Sequence, residues 1–423
     1  MNLTLLNEKF KNCSCGRKHL CPIDFVKLGK GAINTLPLLC EKYNSILLVC
    51  DNNTYRVCGK NVETILAEKI SNRIVLESNG DVVIPNEEKI SEIESGIQSE
   101  TDLIIGVGSG VINDLCKYVS FKHNLEYFIV ATAPSMDGYA SVGAALILKG
   151  MKVTINARPP KAIIGDTDVL KNAPQKMLQA GYGDIIGKYS CLNDWKLSTL
   201  INDEYFCDNI YNLTLSQAEK VKPFAHALLD RNEEAVEALM EALVTVGIAM
   251  SYVGNSRPGS GSEHHLSHYF EITGILENKD YYSHGIDVMY STAVTAKIRE
   301  NIINSYPSKY IFNRDKWIAE IKKNYLTSAD EVISLQDKIG WYTVDARNVI
   351  EQKWDKIINI LKEGPSFSEC TDMLFEIGLS YSDFIEFYGI EKIKNAVLYA
   401  KDLKDRYTVL WLNYKYFKGK FLE

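Results

Sequence analysis

The chain has 423 residues, of which 46% are hydrophobic and 24% charged, and its formal net charge is -7. That length suffices for two domains with sizeable cores, the mild acidity offers no basic face to nucleic acid, and no apolar run reaches the roughly 18 residues of a membrane span. The ten cysteines are too sparse for a secreted disulfide scaffold, and the first residues lack the pattern of an export signal, so cytoplasmic residence is expected.

Near the start, Cys13-Ser-Cys-Gly-Arg-Lys-His19, with Cys21, groups four soft ligands. Their spacing does not match the paired Cys and His patterns of common zinc sites. A reduced N-terminal loop is therefore expected, with a small zinc knuckle or redox element as the alternative. Ser45 to Cys50 is a short apolar run ending at Asp51, as in a buried parallel strand. Asp51 stands where an acidic side chain can accept bonds from an adenosine ribose, which would favour NAD over NADP; a solvated turn aspartate is the alternative.

A helix is expected over 61–71, and strands over 73–77 and 102–106. The second strand runs into Gly106-Val-Gly-Ser-Gly110 and a helix over 111–121. Glycines let a backbone approach a phosphate, and the helix N-terminus adds free N–H groups, although the spacing is not the usual G-x-G-x-x-G. A strand over 127–132 follows, then a hairpin of 144–148 and 151–155 turning at Lys149-Gly150, and another strand over 162–165. From about Pro174 onward helical periodicity dominates, with helices expected over 232–251, 315–323 and 383–403. The expected organisation is an α/β nucleotide-binding domain over 1–173 and an all-α metal-binding domain over 174–423.

The helical half holds Asp184 in Gly-Asp-Ile-Ile-Gly-Lys (183–188), His264 in Gly-Ser-Glu-His-His-Leu-Ser-His (261–268), and His284 in Ser-His-Gly (283–285). A carboxylate and two imidazoles hold a divalent metal and leave a position open. His264 and His268 share a helix face at i, i+4, but the glutamate of H-E-x-x-H is missing. One ligand from this helix and a second from His284 is the preferred reading, and His265 makes a one-residue shift the alternative. Lys149, Lys152, Arg158, Lys161 and Arg257 are cations that a substrate phosphate could use, Arg257 foremost.

These segments, with Ala-Thr-Ala-Pro-Ser-Met-Asp-Gly-Tyr-Ala-Ser (131–141) and Arg-Tyr-Thr-Val-Leu (406–410), resemble the sn-glycerol-1-phosphate dehydrogenases, closest to a bacterial branch associated with arabinose operons. That family is grouped with glycerol dehydrogenase, the iron-containing alcohol dehydrogenases and dehydroquinate synthase. The resemblance implies their two-domain fold with the active site in the cleft. It also implies hydride transfer between NADH or NADPH and dihydroxyacetone phosphate, with zinc or nickel as the metal. Carried onto this sequence, the metal ligands are Asp184, His264 and His284. The cofactor segment comprises Gly108, Ser109, Gly110, Asp114, Thr132, Ser135 and Ser141, and Asp137 lies near the substrate. His268 or solvent supplies the proton. A homo-oligomer is the expected assembly. The rival readings are a polyol dehydrogenase on the same fold, a dehydroquinate-synthase-like lyase, and a non-catalytic nucleotide-binding protein.

Overall fold

A computed structural model describes residues 3–78, 83–148, 151–308 and 311–419. Among them, six strands form one parallel sheet in the order β1-β8-β5-β4-β2-β3, with β1 at Phe25–Gly29, β2 at Ile46–Asp51, β3 at Ile70–Leu76, β4 at Leu103–Gly108, β5 at Glu126–Ala131 and β8 at Ala162–Asp166. Every residue of β4 and β8 is buried, which is why these segments read as continuous apolar runs rather than alternating ones. A separate antiparallel hairpin pairs β6 (Gly143–Leu148) with β7 (Met151–Asn156); its expected turn at Lys149-Gly150 lies outside the described residues.

The helices used below are α1 (Leu3–Lys11), α2 (Gly110–Lys122), α3 (Gln175–Ile186), α4 (Lys188–Asn202), α5 (Glu233–Val253), α6 (Ser262–Glu277) and α7 (His284–Ile303). The α/β first half and helical second half expected from sequence are both present. Three local expectations need correction. β1 was not foreseen. The helix expected over 61–71 ends at Ile65, because Ile70 and Ser71 join β3. The helix expected over 383–403 breaks at Gly389, whose φ of +75° suits glycine and divides the segment in two.

Packing divides the chain into two compact units, one of 1–181 with 226–256 and one of 182–225 with 257–423. This differs from the expected split at 173/174, since α5 returns to the first unit. There it packs on β1 and on the turn at 137–140. α5 is long and apolar enough to cross a membrane, with a mean hydropathy of 1.5, a feature the sequence reading passed over. However, 83% of that stretch is buried inside the protein, as in a core helix. Asn232 caps its start through the Ala235 N–H, and Gly254 ends it with a φ of +79°.

Candidate metal centre and nucleotide loop

In the second unit, α3 and α7 cross at glycine. A Cβ on Gly183 would lie 2.3 Å from the Gly285 carbonyl oxygen, so only glycine permits this approach. The crossing sets Asp184 beside His284, the first residue of α7. α6 supplies His264. Its N-terminus is fixed by the buried Asp194, which accepts the Ser262 N–H at 2.7 Å and the Val409 N–H at 2.6 Å. Burial pushes the Asp194 carboxyl up to about 6.

One ligand atom from each of Asp184, His264 and His284 lies within 4.8 Å of the other two. His264 Nε2 is 3.5 Å from Asp184 Oδ1, while its Nδ1 is 2.7 Å from the Glu263 carboxylate. The carboxylate accepts, so Nδ1 carries the proton and Nε2 turns a lone pair toward Asp184 and His284. Glu263 Oε1 also accepts the Gly261 N–H at 2.9 Å, and burial raises its carboxyl to about 7. Lys188 Nζ donates to Asp184 Oδ1 and to the Gly259 carbonyl, each at 2.8 Å.

Burial alone would raise the Asp184 carboxyl. The Lys188 ammonium, then His264 and His284, together outweigh it, and the carboxyl is held at about 2. Burial, then the Lys188 charge, drives His264 well below the usual imidazole range. An ionised carboxylate and a neutral imidazole are the forms in which these side chains ligate metal. A sulfur-free set of one oxygen and two nitrogen donors suits zinc, nickel or iron.

His268 stacks on His284 with ring centroids 5.4 Å apart but is not part of the three-residue group. His265 is fully buried and is not part of the group; burial, then the charges of Arg406, Lys404 and Arg257, drives it well below the usual imidazole range. Arg257 is also buried, 1% exposed, with its guanidinium 2.6 Å from Glu204 and 2.8 Å from the Tyr407 carbonyl. Its charge is therefore already matched within the protein, which the sequence did not reveal. Of the other cations, Arg158 bonds to Asn124 and Lys161 pairs with Asp24. Lys149 and the Lys152 side chain lie outside the described residues.

In the first unit, β4 ends at Gly108 and α2 begins at Gly110. Ser109, between them, makes no side-chain capping bond to the helix, and the N–H groups of a helix's first turn are the ones that can receive an anion. A Cβ on Gly108 would come 2.6 Å from Ile112, so the turn needs glycine there. Thr132 is buried and its N–H bonds to the Gly108 carbonyl, while the Ser135 N–H bonds to the Ala133 carbonyl. Asp51 ends β2 and caps the next turn, Oδ1 accepting the Asn53 and Thr54 N–H groups, each at 2.8 Å.

Asp114 accepts the Ala145 N–H at 3.1 Å on one oxygen, and the other faces the Asn113 amide at 3.1 Å and Lys117 Nζ at 3.5 Å. Its oxygens thus already tie α2 to β6. Lys117, fully buried, donates to the Gly138 and Gly143 carbonyls at 2.8 Å each and lies 3.4 Å from Ser141 Oγ. These bonds hold the turn that carries the buried Asp137. α5 backs that turn, because a Cβ on Gly247 would be 2.7 Å from the Asp137 carbonyl oxygen. Lys117, Lys188, Asp194 and Glu263 are the important residues that sequence reasoning missed. The available signals were the i, i+3 pair of Asp114 with Lys117 and the i, i+4 pair of Asp184 with Lys188.

The iron-containing alcohol dehydrogenase family matches residues 27–174. The glycerol-1-phosphate dehydrogenase [NAD(P)+] of Bacillus subtilis is 33% identical over 394 residues, covering 92% of this chain and 90% of its own. That of Halalkalibacterium halodurans is 36% identical over 295 residues, covering 68% of this chain and 74% of its own. Among solved structures, a probable glycerol dehydrogenase from Sinorhizobium meliloti superposes with a TM-score of 0.61 at 14% identity, covering 92% of each chain. Sulfoacetaldehyde reductase from Bifidobacterium kashiwanohense, in complex with NAD+, has a TM-score of 0.61 at 15% identity, covering 94% of this chain and 97% of that one. At such identities the structural likeness concerns the fold alone.

Proposed function

The chain belongs to the glycerol-1-phosphate dehydrogenase family, and from that membership we propose that it interconverts dihydroxyacetone phosphate and sn-glycerol 1-phosphate with NADH or NADPH. The observation that carries the reading is the convergence of Asp184, His264 and His284 within 4.8 Å, with Glu263 orienting His264. When bound, a divalent zinc or nickel ion supplies a Lewis acid for the carbonyl oxygen, and the nicotinamide supplies hydride.

The chain's own residues do the rest. The uncapped N-terminus of α2, with Gly108, Ser109 and Gly110, receives the cofactor's pyrophosphate, and Thr132 and Ser135 line the same segment. Asp51 meets the adenosine ribose through the carboxylate oxygen not used in capping. Asp114 and Ser141 serve the cofactor through Lys117, by holding the segment in place. Asp137 orients a substrate hydroxyl, and His268, next to His284, passes a proton to the product oxygen. The assignment extends to the cytoplasm, in keeping with ten cysteines that form no disulfide, and to a homo-oligomer.

Product analysis tests the proposal. Purified protein with NADH and dihydroxyacetone phosphate should give glycerol phosphate of the sn-1 configuration, in step with NADH consumed. A product of the sn-3 configuration, or none with metal present, would overturn it.

A further inference from the structure

The N-terminal cysteine and histidine segment lies outside the machinery described so far, and its geometry is that of a ligand set. One ligand atom from each of Cys13, Cys15 and His19 lies within 4.8 Å of the others. Cys15 Sγ is 3.2 Å from His19 Nε2. With Zn–S near 2.3 Å and Zn–N near 2.0 Å, a tetrahedral site has ligand-to-ligand edges of about 3.5–3.8 Å, so small side-chain shifts would bring the three onto one ion.

His19 is also oriented as a metal-bound histidine is. It is fully buried, and its Nδ1 lies 2.9 Å from the Tyr252 carbonyl oxygen. A carbonyl only accepts, so Nδ1 carries the proton and the neutral ring turns its Nε2 lone pair toward the sulfur of Cys15. A backbone carbonyl fixing the tautomer from behind is the usual outer partner of a ligating imidazole. Cys21, the third thiol of this segment, is not in the group: it is buried, and burial pushes it up to about 11, which keeps it a packed thiol.

We propose that Cys13, Cys15 and His19 form a structural zinc site, distinct in donor chemistry from the Asp184, His264 and His284 group. A further donor completes the tetrahedron, and two thiol protons are released on binding. The ion fastens the N-terminal segment to the end of α5. Tyr252 on α5 already receives His19 on its carbonyl, donates its hydroxyl to Asn7 on α1 at 2.7 Å, and packs against Phe10 with ring centroids 5.5 Å apart. Residues 13–18 are short or polar and none is buried, and such a segment is commonly held by a metal.

Cobalt substitution of the full-length protein tests this directly. The proposed catalytic set contains no sulfur, so a thiolate-to-cobalt charge-transfer absorption reports only the cysteine site. Wild-type protein should show that band and hold two metal equivalents per chain. Cys13→Ser with Cys15→Ser should lose the band and one equivalent while keeping the other. His19→Ala should behave likewise, and His19→Cys, which substitutes one soft ligand for another, should retain both equivalents. Cobalt-loaded wild type without a sulfur band would overturn the proposal. So would a wild-type mass two hydrogens short and restored by reductant, which marks a disulfide between Cys13 and Cys15, or an unchanged metal content in His19→Ala.

Discussion

Lys188 and Asp184 form a fully buried ion pair, with Nζ 2.8 Å from Oδ1. One helical turn separates them, and the pairing holds a carboxylate charged where burial would otherwise protonate it. Replacing one partner of such a pair costs about 3–5 kcal/mol, mainly through the charge left behind. Lys188→Met should therefore destabilise the chelator-treated protein by roughly that amount. The sign with pH follows from a depressed carboxyl: the pair's contribution is complete above the ordinary carboxylate range and is lost as pH falls toward about 2. Without the ammonium the carboxyl rises, so acid unfolding of the variant should begin at higher pH. Chemical denaturation between pH 3 and 7 measures both effects, and parallel curves for the two proteins would contradict them.

His264 and His265 on α6 and His284 on α7 should separate cleanly on mutation. His264→Ala and His284→Ala should each lose most bound metal and at least about a hundredfold in kcat, or ~2.7 kcal/mol, with the fold retained. Glu263→Gln should weaken metal binding by about 10–100-fold, as loss of an outer partner does. His265→Ala, which changes a ring outside the group, should keep its metal. Metal analysis on the same preparations decides the matter; loss of metal in His265→Ala alone would shift the assignment by one residue.

Cofactor choice turns on Asp51. Serine can keep the helix cap that Asp51 makes through Asn53 and Thr54, while removing the negative charge that opposes a 2′-phosphate. Asp51→Ser should raise the ratio of kcat/KM for NADPH over NADH without a change in thermal stability. An unchanged ratio assigns Asp51 to capping alone.

Arg257 presents two separable outcomes. Its partner Glu204 is a third exposed, so breaking the pair should cost roughly 3 kcal/mol, the low end for buried pairs. With its charge matched internally, Arg257→Ala should lower Tm and reduce activity on phosphorylated and unphosphorylated substrate alike. A loss confined to dihydroxyacetone phosphate, at unchanged Tm, would return Arg257 to the substrate phosphate.

Much of this was legible in sequence where burial is continuous. β2 and β4 show as unbroken apolar runs because both faces are covered, and the helix expected over 232–251 matches α5 because its caps and apolar stretch coincide. β1 escaped notice because Lys27 interrupts a short run at the sheet edge. Gly389 was read through as part of one helix, although only its positive φ makes it a break. Lys117, Lys188, Asp194 and Glu263 are charged residues that sequence reading leaves in solvent by default; what buries them is tertiary contact with distant carbonyls and N–H groups. His264 and His284 stood out because histidine is rare in this chain, whereas the choice of His264 over His265 rests on which ring brings a nitrogen to Asp184 and His284.

The central claim is that this is a phosphotriose dehydrogenase rather than a polyol dehydrogenase. The most direct test is kcat/KM for NADH oxidation with dihydroxyacetone phosphate against dihydroxyacetone, on one preparation of known metal content. The account predicts at least about a hundredfold preference for the phosphorylated substrate, equivalent to ~2.7 kcal/mol of transition-state binding. Equal use of the two substrates by the metal-loaded enzyme would contradict it.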